Sequence, residues 1–151
     1  MTPQHILVPT DFSEYADYAL DYAIELAKTF QARLTVLYVF HLPSLALGEA
    51  PPTVLDETLK AMESNARKQT QMALDRIQQS GVQGESTITE GTPFQTIIEA
   101  AESRKIDLIV MGTHGRTGLT HALMGSVAEN VVRMAPCPVL VTRGTTKVPA
   151  E

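Results

Sequence analysis

The fold class is indicated most clearly by the run Leu34-Thr35-Val36-Leu37-Tyr38-Val39-Phe40. Its residues are apolar or β-branched at nearly every position, whereas a strand with one face in water alternates apolar and polar side chains. A strand of this kind is covered on both faces, as in the sheets of α/β proteins. The run therefore predicts a central strand of a parallel sheet.

Shorter strand-like runs lie on both sides of this one, separated by segments of helical period. They cover residues 5–8, 107–111 and 139–141, with a weaker run at 86–89. This alternation is typical of linked β-α-β units, whose crossovers are right-handed. We predict an α/β fold, an open three-layer sandwich around a five-stranded parallel sheet with strand order 3-2-1-4-5.

The composition limits the class of protein. The chain has 151 residues, of which 44% are hydrophobic, and this predicts one domain over residues 1–144 with a tail over 145–151. A net charge of −5 argues against a protein that coats nucleic-acid phosphates. No apolar stretch approaches the ~20 residues of a membrane helix, and the single cysteine, Cys137, cannot form an internal disulfide. We therefore expect a cytoplasmic protein without nucleic-acid or membrane partners.

Local signals predict where loops and helices begin. Residues 41–54 contain three prolines and a glycine, which predicts a long loop. Thr92-Pro93-Phe94-Gln95 and Ser126-Val127-Ala128-Glu129 have the pattern of a capping box, in which the first hydroxyl accepts a hydrogen bond from the helix. Three methionines at helical spacing are interpreted as core residues: Met62, Met72 and Met134.

The loop after the fourth predicted strand is the segment best suited to hold a ligand. It runs Gly112-Thr113-His114-Gly115-Arg116-Thr117-Gly118 and leads to Gly125-Ser126 at the start of the last helix. In an open parallel sheet, ligands bind beyond the carboxyl ends of the strands where the strand order reverses, here after strands one and four. Glycines allow close approach of the backbone, and a helix N-terminus offers N–H groups to an anion such as a triphosphate.

These residues also have a purely structural interpretation. The glycines could serve only tight turns, and Ser126 could serve only as a helix cap. The segment matches neither the P-loop pattern G-x-x-x-x-G-K-[ST] nor G-x-G-x-x-G. The position at a strand's carboxyl end favours the ligand-binding interpretation, and both stay open on the residues alone.

Three polar residues near these loops have more than one possible role. Asp11 could accept a hydrogen bond from a ribose hydroxyl, hold Mg²⁺ through water, or favour the N-terminus of the following helix. Arg116 could neutralise phosphate charge or be a solvated loop residue. We assign His114 a backbone or packing role, because no nucleophile with an orienting partner accompanies it and the four histidines lack metal-binding spacing.

Three separated motifs resemble the universal stress protein family, and together they cover essentially the whole chain. They are Ile6-Leu7-Val8-Pro9-Thr10-Asp11-Phe12-Ser13, then Gly112-x-x-Gly115 followed after nine residues by Gly125-Ser126, and Pro136-Cys137-Pro138-Val139-Leu140-Val141. The resemblance implies a Rossmann-like fold of the adenine nucleotide alpha hydrolase type, membership of the ATP-binding subgroup, and a homodimer.

Carried over position by position, the resemblance also implies a nucleotide-binding site. The residues that would line the adenosine end are Pro9, Thr10, Asp11 and Val39. Those that would follow the ribose and phosphates are Met111, Gly112, His114, Gly115 and Arg116, and those that would close on the phosphates are Gly125, Ser126 and Val127.

Three functions are compatible with these observations. The first is an ATP-binding regulatory module of the stress response, favoured because no catalytic base is recognisable. The second is a slow Mg-dependent ATPase or phosphotransferase, which the absence of a loop lysine weakens. The third is a nucleotide-free dimeric interaction protein. In each case the fifth strand, Val139-Leu140-Val141, is expected at the sheet edge, where unpaired backbone groups can pair with a second copy.

Overall fold

Strands and helices alternate along the chain in the computed structural model, which describes residues 2–41, 51–114 and 124–144. In chain order the elements are β1 (His5–Thr10), α1 (Glu14–Phe30), β2 (Arg33–Phe40), α2 (Pro52–Gln79), β3 (Gly84–Glu90), α3 (Pro93–Ser103), β4 (Leu108–Gly112), α4 (Ser126–Met134) and β5 (Val139–Thr142). The predictions that involve residues 42–50, Gly115, Arg116 and the tail 145–151 lie outside the described residues.

The predicted sheet is confirmed. Its five strands are parallel and lie in the order β3-β2-β1-β4-β5. The order reverses between β1 and β4, and β5 lies at one edge, as the sequence predicts. Within the described residues, no helix is long and apolar enough to cross a membrane.

Helices cover both faces of the sheet and give it the three predicted layers. On one face, Leu34 and Val36 of β2 pack with residues of α1 and α2, and on the other Leu37 packs with residues of α3 and α4. All three side chains are 0–1% exposed, and each such burial is worth about 1.5–3 kcal/mol. The run is thus buried on both faces over Leu34–Leu37, as predicted, whereas Tyr38, Val39 and Phe40 at its carboxyl end are half-buried.

Several local predictions are wrong. Helix α2 begins at Pro52, inside the predicted loop 41–54, since proline at the first helical position loses no hydrogen bond. Ser126 is the first residue of α4 rather than its cap, which is Gly125. Thr92 is the cap of α3, as predicted, but makes no side-chain capping hydrogen bond in the described residues. The three methionines interpreted as core are 42%, 55% and 56% exposed: Met62, Met72 and Met134.

Candidate functional site

A cavity of about 310 Å³ lies at the carboxyl ends of β1, β2 and β4, beside the first turns of α3 and α4. Ten of the predicted site residues line it: Pro9, Thr10, Asp11, Val39, Met111, Gly112, His114, Gly125, Ser126 and Val127. The two others, Gly115 and Arg116, lie outside the described residues. Four separated segments of the chain therefore meet where the strand order reverses, as expected for an open α/β sheet.

The lining has an apolar side and a polar side. Leu37 and Val39 of β2 and Pro93 and Ile97 of α3 supply the apolar side. The polar side comes from the residues around the end of β4 and from the first turn of α4. A cavity with an apolar wall and a few convergent polar groups is the usual form of a small-molecule site.

The turn between β1 and α1 places Asp11 at the cavity. The Phe12 N–H donates to Thr10 Oγ1 at 3.0 Å, and the Ser13 N–H donates to Asp11 Oδ1 at 3.0 Å. Ser13 is the N-cap of α1, with its Oγ accepting from the Ala16 N–H at 3.2 Å. The turn is therefore held by local hydrogen bonds between residues two or three positions apart.

The two described glycines of the predicted loop are needed by the packing of the protein itself. A Cβ on Gly112 would lie 3.0 Å from both the Cβ and the carbonyl oxygen of Tyr15, so a side chain there would push α1 away from β4. A Cβ on Gly125 would lie 3.1 Å from the carbonyl oxygen of Thr113. Gly125 has φ −62°, which any residue can adopt, so close approach rather than a left-handed conformation explains it.

Thr113 is a polar cavity residue that was not among the predicted site residues, although it lies in the loop predicted to hold a ligand. Its N–H donates to the Thr142 carbonyl at 3.0 Å, and its carbonyl accepts from the Gly125 N–H at 2.7 Å. Its Oγ1 lies 3.0 Å from Nδ1 of His114, whose ring packs against Tyr15 with 5.3 Å between centroids. Thr113 thereby joins the ends of β4 and β5 to the start of α4. Its place beside Gly112 was the one signal that pointed to it.

The N-terminus of α4 faces the cavity without a side-chain cap among the described residues. Ser126, Val127 and Ala128 line the cavity, and the N–H groups of a first helical turn have no partner within the helix. The positive end of the helix dipole adds to their attraction for an anion. Asp11 is the one carboxylate in the described lining.

The other features that could bind a ligand or react lie outside this cavity. A cavity of about 410 Å³ on the opposite face, between α2 and the ends of β2 and β3, contains none of the predicted site residues. In the described parts of the chain, no group of three or more His, Cys, Asp or Glu side chains could hold a metal ion. Burial raises the pKa of the Cys137 thiol, and the charge of Asp107 acts in the same direction, which suits a packing role.

A second polar cluster lies at the amino end of the sheet. His5 is 5% exposed, and its Nε2 lies 2.8 Å from Thr35 Oγ1, which donates to Glu85 Oε1 at 2.9 Å. Because Thr35 has one hydroxyl proton, His5 Nε2 must be the protonated nitrogen and the donor. Nδ1 of His5 has no partner in the described structure. Burial lowers the pKa of His5, and the charge of Arg33 lowers it further.

The chain belongs to the universal stress protein family, whose sequence profile matches residues 2–143. A universal stress protein of Methanocaldococcus jannaschii is 40% identical over 140 residues, which cover 91% of this chain and 81% of that protein. The solved structure of universal stress protein UspA from Lactobacillus plantarum is 33% identical, with a TM-score of 0.81 over 93% of this chain and 97% of that one. A universal stress protein solved in complex with cAMP is 25% identical, with a TM-score of 0.69 over 95% and 98% of the two chains.

Proposed function

We propose that this protein is a nucleotide-binding regulatory module that holds ATP in the cavity at the carboxyl ends of β1, β2 and β4. The observation that carries the proposal is that ten residues from separated segments line one cavity beside a helix N-terminus that no described side chain caps. The cAMP complex of a relative supports an adenine nucleotide as the ligand class. The cavity volume, about 310 Å³, lies at the lower end of the range of small-molecule sites.

The lining suggests how the nucleotide would lie. The apolar side around Val39 and Ile97 suits the flat adenine ring, and Asp11 is placed to accept a hydrogen bond from a ribose hydroxyl. The phosphates would lie against the first turn of α4, where N–H groups and the helix dipole favour negative charge. Arg116, outside the described residues, would add a positive charge beside them.

A magnesium ion would accompany the nucleotide rather than occupy a site made by the protein alone. Mg²⁺ is usually held by one or two carboxylates together with substrate phosphates and waters, and Asp11 supplies one carboxylate here. The ion would neutralise phosphate charge. His114, already in contact with Thr113 and Tyr15, is a poor candidate for a catalytic base. We therefore propose binding with slow turnover at most, in a cytoplasmic protein.

The proposed module is a homodimer joined through β5. In the described sheet β5 pairs with β4 on one side only, which leaves a strand edge for a second copy. Val139, Leu140 and Val141 are half-buried in the single chain. Sedimentation at micromolar concentration should give the mass of two chains, and a monomer alone would contradict this part of the proposal.

The substitution Ser126→Pro tests the phosphate position. Ser126 is the first residue of α4, where proline is tolerated, and Gly125 has φ −62° and ψ 155°, as a residue before proline requires. The variant loses one N–H donor at the cavity while the helix stays intact. We expect ATP affinity, measured by calorimetry, to fall at least about tenfold, as for a lost hydrogen bond to a charged group.

The matched control is Ser126→Ala, which removes the hydroxyl and keeps the N–H. It should weaken ATP binding less than Ser126→Pro does, and both variants should melt within a few degrees of the parent protein. Equal affinity of Ser126→Pro and the parent would refute the phosphate position. An absence of saturable ATP binding at millimolar nucleotide in the parent protein would refute the function itself.

A further inference from the structure

Phe12, between Asp11 and the helix cap Ser13, has a backbone conformation that needs an explanation. Its φ is +63°, in the left-handed region that bulky side chains seldom adopt. The two other non-glycine residues with positive φ among those described are Gln31 and Lys105. Both follow the ends of helices, where a left-handed residue is a common way to finish the helix. Phe12 precedes a helix, so this explanation does not apply to it.

Side-chain contacts hold Phe12 in this conformation. Its ring packs against Tyr38 of β2, with 4.5 Å between ring centroids and 34° between the planes. Its N–H donates to Thr10 Oγ1, and the next N–H, from Ser13, donates to Asp11 Oδ1. The ring therefore fastens the turn to a neighbouring strand, while the two hydrogen bonds fix the residues around Asp11.

The position of this turn connects its conformation to the cavity. Thr10 and Asp11 both line the cavity, and Phe12 follows them directly. A rare backbone conformation that is held by its surroundings at a ligand-binding loop is a common means of fixing a group before the ligand arrives. If Phe12 relaxed to negative φ, the chain direction after Asp11 would change, and the bond from the Ser13 N–H to its carboxylate would be lost.

We propose that Phe12 is a positioning residue, clamped by Tyr38, which holds Asp11 ready for the nucleotide. This inference rests on the proposed function, because it names a residue that acts on the same site through Asp11. Phe12 itself need not touch the ligand. Its contribution is that the turn is ordered before binding, so that binding does not have to order it.

A double-mutant cycle between Phe12 and Asp11 tests the proposal, with ATP affinity measured by calorimetry. Phe12→Gly removes the ring, and glycine adopts positive and negative φ with similar ease, so the turn is released without a backbone clash. We expect affinity to fall about tenfold, the size expected when one or two residues must be ordered on binding. In the Asp11→Ala background the same change should alter affinity less than about twofold, because coupled residues are not additive.

Two further variants separate positioning from general stability. Gln31→Gly makes the same backbone change at a left-handed residue at the end of α1 and should leave ATP affinity unchanged. Tyr38→Leu keeps Phe12 but removes the ring against which it packs, and should weaken binding in the parent but not in Asp11→Ala. Its control is Tyr22→Leu, at an aromatic residue 44% exposed on α1.

The outcomes distinguish this inference from the proposed function. Additive effects of Phe12→Gly and Asp11→Ala, or an unchanged affinity in Phe12→Gly, would overturn the positioning role while ATP binding by the parent protein upheld the function. A parent protein that binds no ATP would overturn both. Loss of affinity in Phe12→Gly that disappears in the Asp11→Ala background would establish the role.

Discussion

The two ends of β1 use polar residues in opposite ways. At the amino end, the His5 side chain is buried and bonded to Thr35, which is bonded in turn to Glu85. At the carboxyl end, Thr10 and Asp11 lie in a turn that lines a cavity, opposite a helix that begins without a side-chain cap in the described residues. The amino end pairs Nε2 of His5 with side chains of neighbouring strands, although Nδ1 has no partner in the described structure, and the carboxyl end directs several polar groups into a cavity.

This difference means that the polar groups at one end of β1 contribute to stability and those at the other end to binding. A buried polar group that is paired inside the protein contributes to folding and is costly to unpair. Backbone donors that face a cavity contribute little to folding and are available to a ligand. Substitutions at the amino end of β1 should therefore lower stability without changing nucleotide affinity. Substitutions of cavity-facing groups should lower nucleotide affinity and leave stability nearly unchanged.

Gly112→Ala should give the largest loss of stability. It is an exception to the rule that cavity residues contribute to binding rather than to folding. Gly112 lines the cavity, yet its Cβ would meet the Tyr15 carbonyl at 3.0 Å, so α1 would have to move. We expect the free energy of unfolding to fall by about 3 kcal/mol, as in overpacked cores. Urea unfolding without nucleotide measures it. A variant as stable as the parent that loses only affinity would mean that Gly112 serves the ligand alone.

Thr35→Val should cost about 2 kcal/mol of stability, because it leaves the buried Nε2–H of His5 without an acceptor. Urea unfolding measures the loss, and ATP affinity should stay within about twofold of the parent. The matched control is Thr87→Val, at a half-buried threonine of the neighbouring strand β3, where we expect a change within about 0.5 kcal/mol. Equal stability of the two variants would contradict the assigned role of Thr35.

The polar groups at the carboxyl end of β1 can be predicted from the sequence far better than those at its amino end, for physical reasons. The apolar run over residues 34–40 predicts helices on both faces of the sheet, and the reversal of strand order then selects the loops after β1 and β4 as the ligand site. The resemblance supplied the individual residues, such as Val39, which no local pattern marks as a site residue. The left-handed Phe12 has no such signal, since its conformation is set by contacts with another strand.

The cluster of His5, Thr35 and Glu85 could not be predicted, because its members come from three strands and meet only through the strand register. The predicted cap at Ser126 failed for a related reason. The capping-box pattern is local, but the bond from the Gly125 N–H to Thr113 fixes the chain one residue earlier, and this makes Gly125 the cap. A local sequence pattern therefore fails to predict the cap where a hydrogen bond to a residue outside the pattern determines the backbone conformation.

Acid should lower the stability of the protein through protonation of His5 at the amino end of β1. The folded protein resists protonation of His5, because burial lowers its pKa below 6.5, so below that pH the unfolded chain binds more protons. Stability should be fully present above about pH 6.5 and fall as the pH drops towards the folded pKa, by at most about 1.4 kcal/mol per pH unit. The difference between the parent and His5→Gln, measured by urea unfolding between pH 5 and 8, isolates this contribution. A parent and variant with parallel pH profiles would contradict it.

Arg104→Gln should have the smallest effect and shows which part of the amino-end cluster stabilises the fold. Arg104 Nη1 lies 2.8 Å from Glu85 Oε1, but the two side chains are 35% and 55% exposed, so water and salt screen the pair. We expect a loss of about 0.5 kcal/mol, smaller still at high salt, because exposed ion pairs contribute little. The charge of Arg104 also lowers the pKa of His5, so the variant should show a weaker pH dependence than the parent. A loss above about 2 kcal/mol would mean that ionic pairing, rather than the buried bond between His5 and Thr35, holds this end of the sheet together.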